Sequence, residues 1–384
     1  MRATLSHRYS SSAIAALIVV AAALILAACG GAETPSPTAV TATPTATATA
    51  VPTQTSTAIR APTPRPITLP GDEAPHSDPV EWWYYSGVMR DEAGARYGFH
   101  FVIFQVKDGQ TGGTAYMSHA SVTDIGRDTH EQASRFALGA QGQPASGFAL
   151  TVSDWALIGE NGRHAFSAET DTYALDLNVS AAKPAARHNR NGYLIGLGGW
   201  TYYYSWTRMD VTGTLTTDGH ERAVTGEAWM DHQWGDFEIL GYPTGWQWFA
   251  VQMENGHEVM VAESREESGE TIVYATLVDP AGGTTHVDGD AISLDVLGEW
   301  TSPHTGGVYP AGWRIAIPEQ ELSMTLTPVQ DDQEITLAFP RHTIYWEGLV
   351  DTEITFNGEP VSGSGYVELV GYVPPLPSPT PAAG

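Results

Sequence analysis

The chain has 384 residues and sets 44 Asp and Glu against 18 Lys and Arg, a formal net charge of -26. A surface this acidic repels nucleic acid and anionic lipid headgroups, so neither is expected as a partner. With a single cysteine, Cys29, no internal disulfide can form, and the fold has to stand on its apolar core.

In chain order, Arg2 and Arg8 precede an apolar run from Ala13 to Leu26. The run is short for a membrane span and has the order of a secretory signal. It ends in "LAAC", Leu26 to Cys29. Small residues before a lone cysteine suit lipoprotein processing, in which the thiol is acylated and the chain is cut just before it. A plain signal peptide or an uncleaved anchor helix are the competing readings. Residues 1–28 are thus expected to be a lipoprotein signal. A lipid on Cys29 would hold the protein at a membrane on its extracytoplasmic side. Residues 29–70 are dominated by Thr, Pro and Ala and contain no aromatic residue. Such a segment cannot repay the entropy of ordering and reads as an extended tether. Residues 373–384 read as a second, shorter disordered end.

Residues 71–372 have the pattern of strands. Trp, Tyr, Thr and Val recur, and Gly, Asp and Asn punctuate at short intervals. In "RYGFHFVIFQV", Tyr97, Phe99, Phe101 and Ile103 fall on one face, and His100, Val102 and Phe104 on the other. "RDEAGARYGF" and "MENGHEVM" read as hairpins with Gly-containing turns. Long amphipathic helices are not evident. The expected class is all-β and antiparallel. Several strands are apolar or aromatic on both faces, so one face meets a core and the other a cavity or a neighbouring domain.

Common catalytic motifs are missing: there is no G-x-S-x-G, no P-loop and no H-E-x-x-H. "GLGGW" is a poor dinucleotide fingerprint, and the histidines lack metal-ligand spacing, so neither cofactor nor metal is expected. What stands out are aromatic clusters with a polar group inside: "EWWYYSG", "GGWTYYYSW", "GEAWMDHQWGD", "GWQWFAVQ", "WTSPHTGGVYPAGW" and "YWEGLV". "EWWYYSG" followed by "YGFHFVIFQ", then "GEAWMDHQWG", "WTSPHTGGVYPAGW", and finally "YWEGLV" with "GSGYVELVGY" resemble the carotenoid 1,2-hydratase (hydroxyneurosporene synthase) family and its AttH-like relatives. The resemblance covers Pro75 to Tyr372. It implies two tandem lipocalin-like β-barrels, over 71–236 and 237–372, with an apolar ligand site for a polyene, terpenoid or lipid.

Hydration of a terminal alkene needs a proton donor, aromatic faces to stabilise a tertiary cation, and a held water. The family's His-x-Trp pair falls on His232 and Trp234, which share a strand face with Met230. Trp229, Asp231 and Gln233 take the opposite face. The family's later Tyr-x-Asp pair has no counterpart in "GWQWFAVQMENG", where Gln247 and Gln252 stand. His232 and Asp231 are therefore the expected acid–base pair, provided a bulge brings them together. Asp236 and Glu238 are weaker candidates. Trp234, Trp229, Trp83, Tyr85, Trp246 and Trp248 are the expected ligand wall. Core packing is the plainer reading for half of the run Trp82 to Tyr85. Glu81 is expected to cap a strand or pair with Arg90 or Arg208, and Glu347 and Glu368 to satisfy donors between the barrels. A carrier without turnover, or a hydrolase, competes with the hydratase reading.

Overall fold

Two-residue alternation decides which side chains meet. In the computed structural model, which describes residues 61–373 except 110–111, 140, 143, 145, 238–243 and 337–343, nearly every element is a strand. The expected signal, Cys29, most of the tether, Glu238 and nearly all of the tail lie outside these residues. Among the described residues there is no α-helix, only three short 3₁₀ turns.

The first sheet comprises β1 (Val80–Asp91), β2 (Arg96–Lys107), β3 (Thr114–Asp124), β4 (Thr129–Leu138), β5 (Phe148–Val152), β6 (Trp155–Glu160), β7 (Arg163–Glu169), β8 (Tyr173–Ala181), β9 (Ala186–Arg187), β10 (Tyr193–Gly196), β11 (Gly199–Thr217) and β12 (His220–Asp236). Its order is 4-3-2-1-12-11-8-7-6-5, with β9 and β10 against β11. The end strands β4 and β5 come back towards each other, so the sheet curls into a barrel.

The second sheet follows with β13 (Gly245–Met253), β14 (Glu258–Arg265), β15 (Thr271–Val278), β16 (Thr284–Asp288), β17 (Ser293–Val296), β18 (Glu299–Thr301), β19 (Val308–Pro310), β20 (Trp313–Ile317), β21 (Leu322–Pro328), β22 (Glu334–Thr336), β23 (Ile344–Phe356), β24 (Glu359–Val361) and β25 (Gly363–Val370). Its order is 16-15-14-13-25-23-21-20-17, β22 and β24 lie against β23, and β18 with β19 forms a separate ribbon. The fold is two tandem antiparallel lipocalin-like barrels, as the sequence leads one to expect.

The faces sort as the alternation requires. Tyr97, Phe99, Phe101 and Ile103 of β2 enter the first barrel's core together with Trp83 and Tyr85 of β1. Val102 and Phe104 turn outward to a third apolar cluster, shared by both sheets, with Tyr84, Tyr203, Trp229, Trp248 and Tyr366. Aromatic rings dominate both clusters, and each buries on the order of 150–250 Å². Two expected hairpins are present: Gly94, at φ +83, turns β1 into β2, and Gly256, at φ +82, turns β13 into β14. Gly235 of the "HQWGD" stretch has a different reason. A Cβ there would lie 2.2 Å from the Trp200 carbonyl oxygen across the β11–β12 pair.

The two sheets form one compact unit, and a buried charge cluster joins them. Glu258 of β14 is fully buried and meets Lys183 Nζ and Arg208 Nε, each at 2.7 Å. Arg208 also pairs with Glu227 and Arg90 donates to the Gly94 carbonyl, while Glu81 is met by His76, His232 and Gln105 rather than by either arginine. The β11–β12 register slips between Trp206 and Met209. That slip sits at the residues whose side chains meet Glu258, Thr207 and Arg208, as a bulge that re-aims side chains would.

The chain ahead of β1 is seated. Ile67 is buried in the first barrel's core, the Arg65 backbone N–H donates to the Tyr202 hydroxyl at 2.9 Å, and Asp72 and Glu73 are buried. The last residues of the expected tether therefore belong to the fold. One apolar side chain, Ile67, and one guanidinium, Arg65, find partners that composition alone does not reveal.

Candidate functional site

Strand β12 divides the expected site between two chambers. His232 and Trp234 point into the first barrel; Trp229, Asp231 and Gln233 point into the seam between the sheets. The register of β12 is unbroken from Trp229 to Gly235 against β1 and from Met230 to Gly235 against β11. No bulge brings Asp231 round to His232, so the two do not form a pair.

Inside the first barrel, His232 Nε2 is 2.8 Å from Glu81 Oε1, and His76 Nδ1 is 2.7 Å from the same oxygen. Glu81 Oε2 accepts the His76 backbone N–H at 2.7 Å and Gln105 Nε2 at 3.0 Å. His76 Nε2 reaches Asp72 Oδ1 at 3.2 Å, and Asp72 is held by Arg65. His232 Nδ1 faces the Tyr204 hydroxyl at 3.1 Å. Burial works to raise the Glu81 pKa, but hydrogen bonds from His232 and His76 outweigh it and hold the carboxyl below its usual range. Burial works to lower the His76 pKa, and Asp72 and Glu81 outweigh it, so this ring is favoured as the imidazolium. Burial lowers the His232 pKa despite Glu81. The network therefore assigns a carboxylate at Glu81, a charged His76 and a neutral His232 that donates from Nε2 and accepts from Tyr204.

The ligand atoms of His76, Glu81 and His232 lie within 4.8 Å of one another, a spacing that a divalent cation could span. Protons satisfy the same atoms, so the arrangement does not call for a metal. Trp234 stacks on His76 with ring centroids 4.0 Å apart, Trp83 stacks on His232 at 4.9 Å, and the Tyr85 hydroxyl meets His164 Nδ1 at 2.5 Å. Trp234, Trp83 and Tyr85, expected to touch ligand, are instead fully buried core. Their composition matches a ligand wall, but all three pack in the first barrel's apolar core.

The seam holds a cavity of about 280 Å³, walled by Trp82, Tyr84, Val102, Phe104, Trp246 and Trp248. Its volume lies near the lower end of the ~300–1,000 Å³ usual for small-molecule sites. Ile195 and Leu197, at the tip of the β10–β11 hairpin, also line it. Glu266 of the second sheet accepts the Leu197 backbone N–H at 2.9 Å, fastening that tip.

Three carboxyls line this cavity: Asp288, which is exposed, Asp231 from the first sheet and Glu368 from the second. Burial pushes Asp231 up to about 6, although Ser205, Tyr203 and Trp229 all donate to it and favour its charged form. Tyr203 OH is 2.5 Å from Oδ2 and Trp229 Nε1 is 2.6 Å from Oδ1, which also accepts Ser205 Oγ. Behind Ser205, His188 Nε2 lies at 2.7 Å, and burial drops that ring to about 3, so it is neutral. Ser205 and His188 are fully buried and neither lines the cavity, so this Ser–His contact offers no accessible nucleophile. Glu368 has one strong donor, Trp246 Nε1 at 2.8 Å. Burial, with the Asp231 charge adding to it, pushes Glu368 up to about 7 against that hydrogen bond. Glu347 stands directly beside Glu368 in the β23–β25 register and accepts the Tyr84 hydroxyl at 2.7 Å.

Of the expected ligand wall, Trp246 and Trp248 line the cavity, and Trp229 supports Asp231 from behind. The sequence pattern gives Glu368 and Glu81 structural roles and Tyr203 none. A signal for the first exists. Tyr345-x-Glu347 and Tyr366-x-Glu368 repeat a Tyr-x-acid spacing on two paired strands late in the chain, far from the stretch in which an acid was sought. Asp236 ends β12 exposed to solvent.

Two curled antiparallel barrels meeting over an aromatic cavity define a protein of the tandem lipocalin-like class. Within it, the chain belongs to the AttH-like family, whose model matches residues 60–372. Among solved structures it is similar to an AttH structure from Nitrosomonas europaea, with 26% identity, a TM-score of 0.71, and coverage of 80% of this chain and 98% of that one. It is also similar in fold to kievitone hydratase from Nectria haematococca, at 17% identity and a TM-score of 0.65, covering 79% of this chain and 93% of that one. Comparison with curated proteins gives no match.

Proposed function

We propose that the seam cavity binds the alkene-bearing end of an apolar polyene, terpenoid or lipid and adds water across the double bond. The observation that carries this reading is the unequal treatment of two cavity carboxyls. Asp231 is clamped by three donors while Glu368 has one. Environments that push two carboxyls apart divide acid from base. Glu368 is then the acid and Asp231 the base, which replaces the expected His232–Asp231 pair.

The Glu368 carboxyl gives its proton to the less substituted alkene carbon, leaving a tertiary cation and a Glu368 carboxylate. Trp246, Trp248 and Tyr84 present ring faces to that charge. Water bonds through oxygen to the cationic carbon and loses a proton to the Asp231 carboxylate. Proton exchange between the two carboxyls and solvent restores both. A cavity of about 280 Å³ admits one end of a long polyene rather than its whole length.

This reading sets a pH profile. Asp231 has to be charged, which favours pH above about 6, and Glu368 has to be protonated, which favours pH below about 7. The rate on an acyclic terminal alkene therefore rises as pH passes the first value and falls past the second, with a narrow maximum between. Glu368→Gln removes most of the rate and the alkaline limb with it. Steady-state rates across pH for both proteins are the measurement, and a flat profile in the native protein would count against the pair. Binding without conversion would leave the protein a carrier of the same ligand.

We further propose that a lipid on Cys29 holds the protein at an extracytoplasmic membrane surface, where apolar ligands concentrate. Cys29→Ser is expected to move the full-length protein from the membrane fraction to the soluble fraction; persistence in the membrane would reject the anchor.

A further inference from the structure

Next to the cavity the seam carries a row of polar side chains without partners. Ser86 pairs across the sheet with His100, and His100 with Ser121, so the three stand side by side on β1, β2 and β3. Tyr366 and Glu347 belong to the facing sheet. All five residues are buried. Ser86 Oγ, His100 Nδ1, Ser121 Oγ, Glu347 Oε2 and Tyr366 OH make no hydrogen bond within the protein. Buried polar atoms are seldom left in this state, and a gap between two of them is where a water bridges.

The spacing matches that account. Burial holds the Tyr84 and Tyr366 hydroxyls in their neutral form, and Ser86 and Ser121 lie near enough to those hydroxyls to oppose it in small part. Neither serine makes a well-formed hydrogen bond there. Between Ser86 and Tyr366 lies a separate void of about 10 Å³, with Gly87, Trp229, Gln252 and Leu349 also on its wall. That is about the volume one water needs, and a buried water takes two to four polar partners. Trp229 is common to the void and to the reacting site, because its indole N–H is bonded to Asp231. Tyr84 joins them a second way, with its hydroxyl on Glu347 and its ring on the cavity.

We infer that this void is a built water site, held by Ser86 and Tyr366, and that it supplies the water consumed in the cavity. The supply role rests on the hydration reading; the water site does not.

A crystal structure of the protein at a resolution that shows ordered water tests the site, and Ser86→Val tests the role. The native protein is expected to show a water within hydrogen-bond distance of Ser86 Oγ and Tyr366 OH. Ser86→Val, whose extra methyl fills the void, is expected to be dry there. It should hydrate the alkene at least about tenfold more slowly while binding it within about twofold of the native affinity, as displacement of a positioned reactant predicts. Tyr366→Phe, which adds no bulk, takes its place should Ser86→Val fail to fold. A dry void in the native protein overturns the site. A displaced water with an unchanged rate overturns the supply role. A native protein that holds the water and binds the alkene but never hydrates it rejects the hydration reading, and the supply role with it, and leaves the water site standing.

Discussion

Asp231→Asn is expected to lower alkene hydration by on the order of 10²–10⁴-fold, the usual contribution of a positioned acid or base, with ligand binding preserved. The substitution is close to isosteric. The Asn carbonyl oxygen can still accept from Trp229 and Ser205, which both donate to Oδ1. Only Tyr203, which donates to Oδ2, has to turn its hydroxyl to accept from the new amide. A modest loss of stability, about 1–3 kcal/mol if one buried partner is left unsatisfied, is therefore expected beside a large loss of rate. The loss falls on kcat, because the negative charge faces the cation and the departing proton rather than the ground-state alkene. His232→Ala separates this assignment from the one the sequence suggests. The imidazole lies behind β12 in the closed barrel, so its removal should cost stability and leave the cavity reaction of the folded protein largely intact. Single-turnover rates and binding isotherms for the two variants decide the matter. A catalytically silent Asp231→Asn would end the proposal.

Glu81→Ala carries the largest expected effect on stability, on the order of 3–5 kcal/mol. The Glu81 carboxylate accepts from His232, from the ring and backbone of His76, and from Gln105. Its removal leaves a charged His76 beside one remaining acid, Asp72. Glu81→Gln, which keeps the shape and loses the charge, should fall between the two. The pH dependence has a definite sign. Glu81 has a depressed pKa in the folded protein. Its contribution is complete above the unfolded value of about 4.3 and is lost as pH falls through the folded one. His76 has a raised pKa, so its contribution is complete below about 6.5 and is lost as pH rises through the folded value. Native stability in denaturant titrations should therefore be greatest between these pH values, and Glu81→Ala should flatten the acid side. If Glu81→Gln abolished cavity turnover at unchanged stability, the barrel network would be catalytic and not structural.

Much of this was legible in the residues. Strand alternation places Asp231 opposite His232 and divides the Trp82–Tyr85 run evenly, because a side-chain period of two survives any tertiary context that leaves the strand intact. The all-β class follows from the same signal. The identity of Glu81's partners was not legible: His76 sits in an irregular segment ahead of β1, and nothing local announces that it folds back onto the strand. Glu368 was read as structural for a different reason. It reaches the cavity only after the second sheet has closed and packed on the first, and the Tyr-x-Glu spacing it shares with Glu347 is the one local trace of that role. Aromatic composition misled over Trp83, Tyr85 and Trp234, since a ring in a filled core and a ring on a ligand wall need the same sequence. The closing contact of the two sheets, not the strand, decides which it becomes.

One strand, β12, furnishes both compartments from alternate positions, and this has a consequence for how such a protein can change. Point substitutions on one side leave the other side's residues in place, so ligand preference can drift while the barrel interior is kept. Changes of length behave in the opposite way. A single residue inserted or deleted between Trp229 and Asp231, with the strand ahead of it held in register, would send the carboxylate into the first barrel and the imidazole into the seam, spoiling both at once. The stretch is tolerant in spelling and intolerant in count.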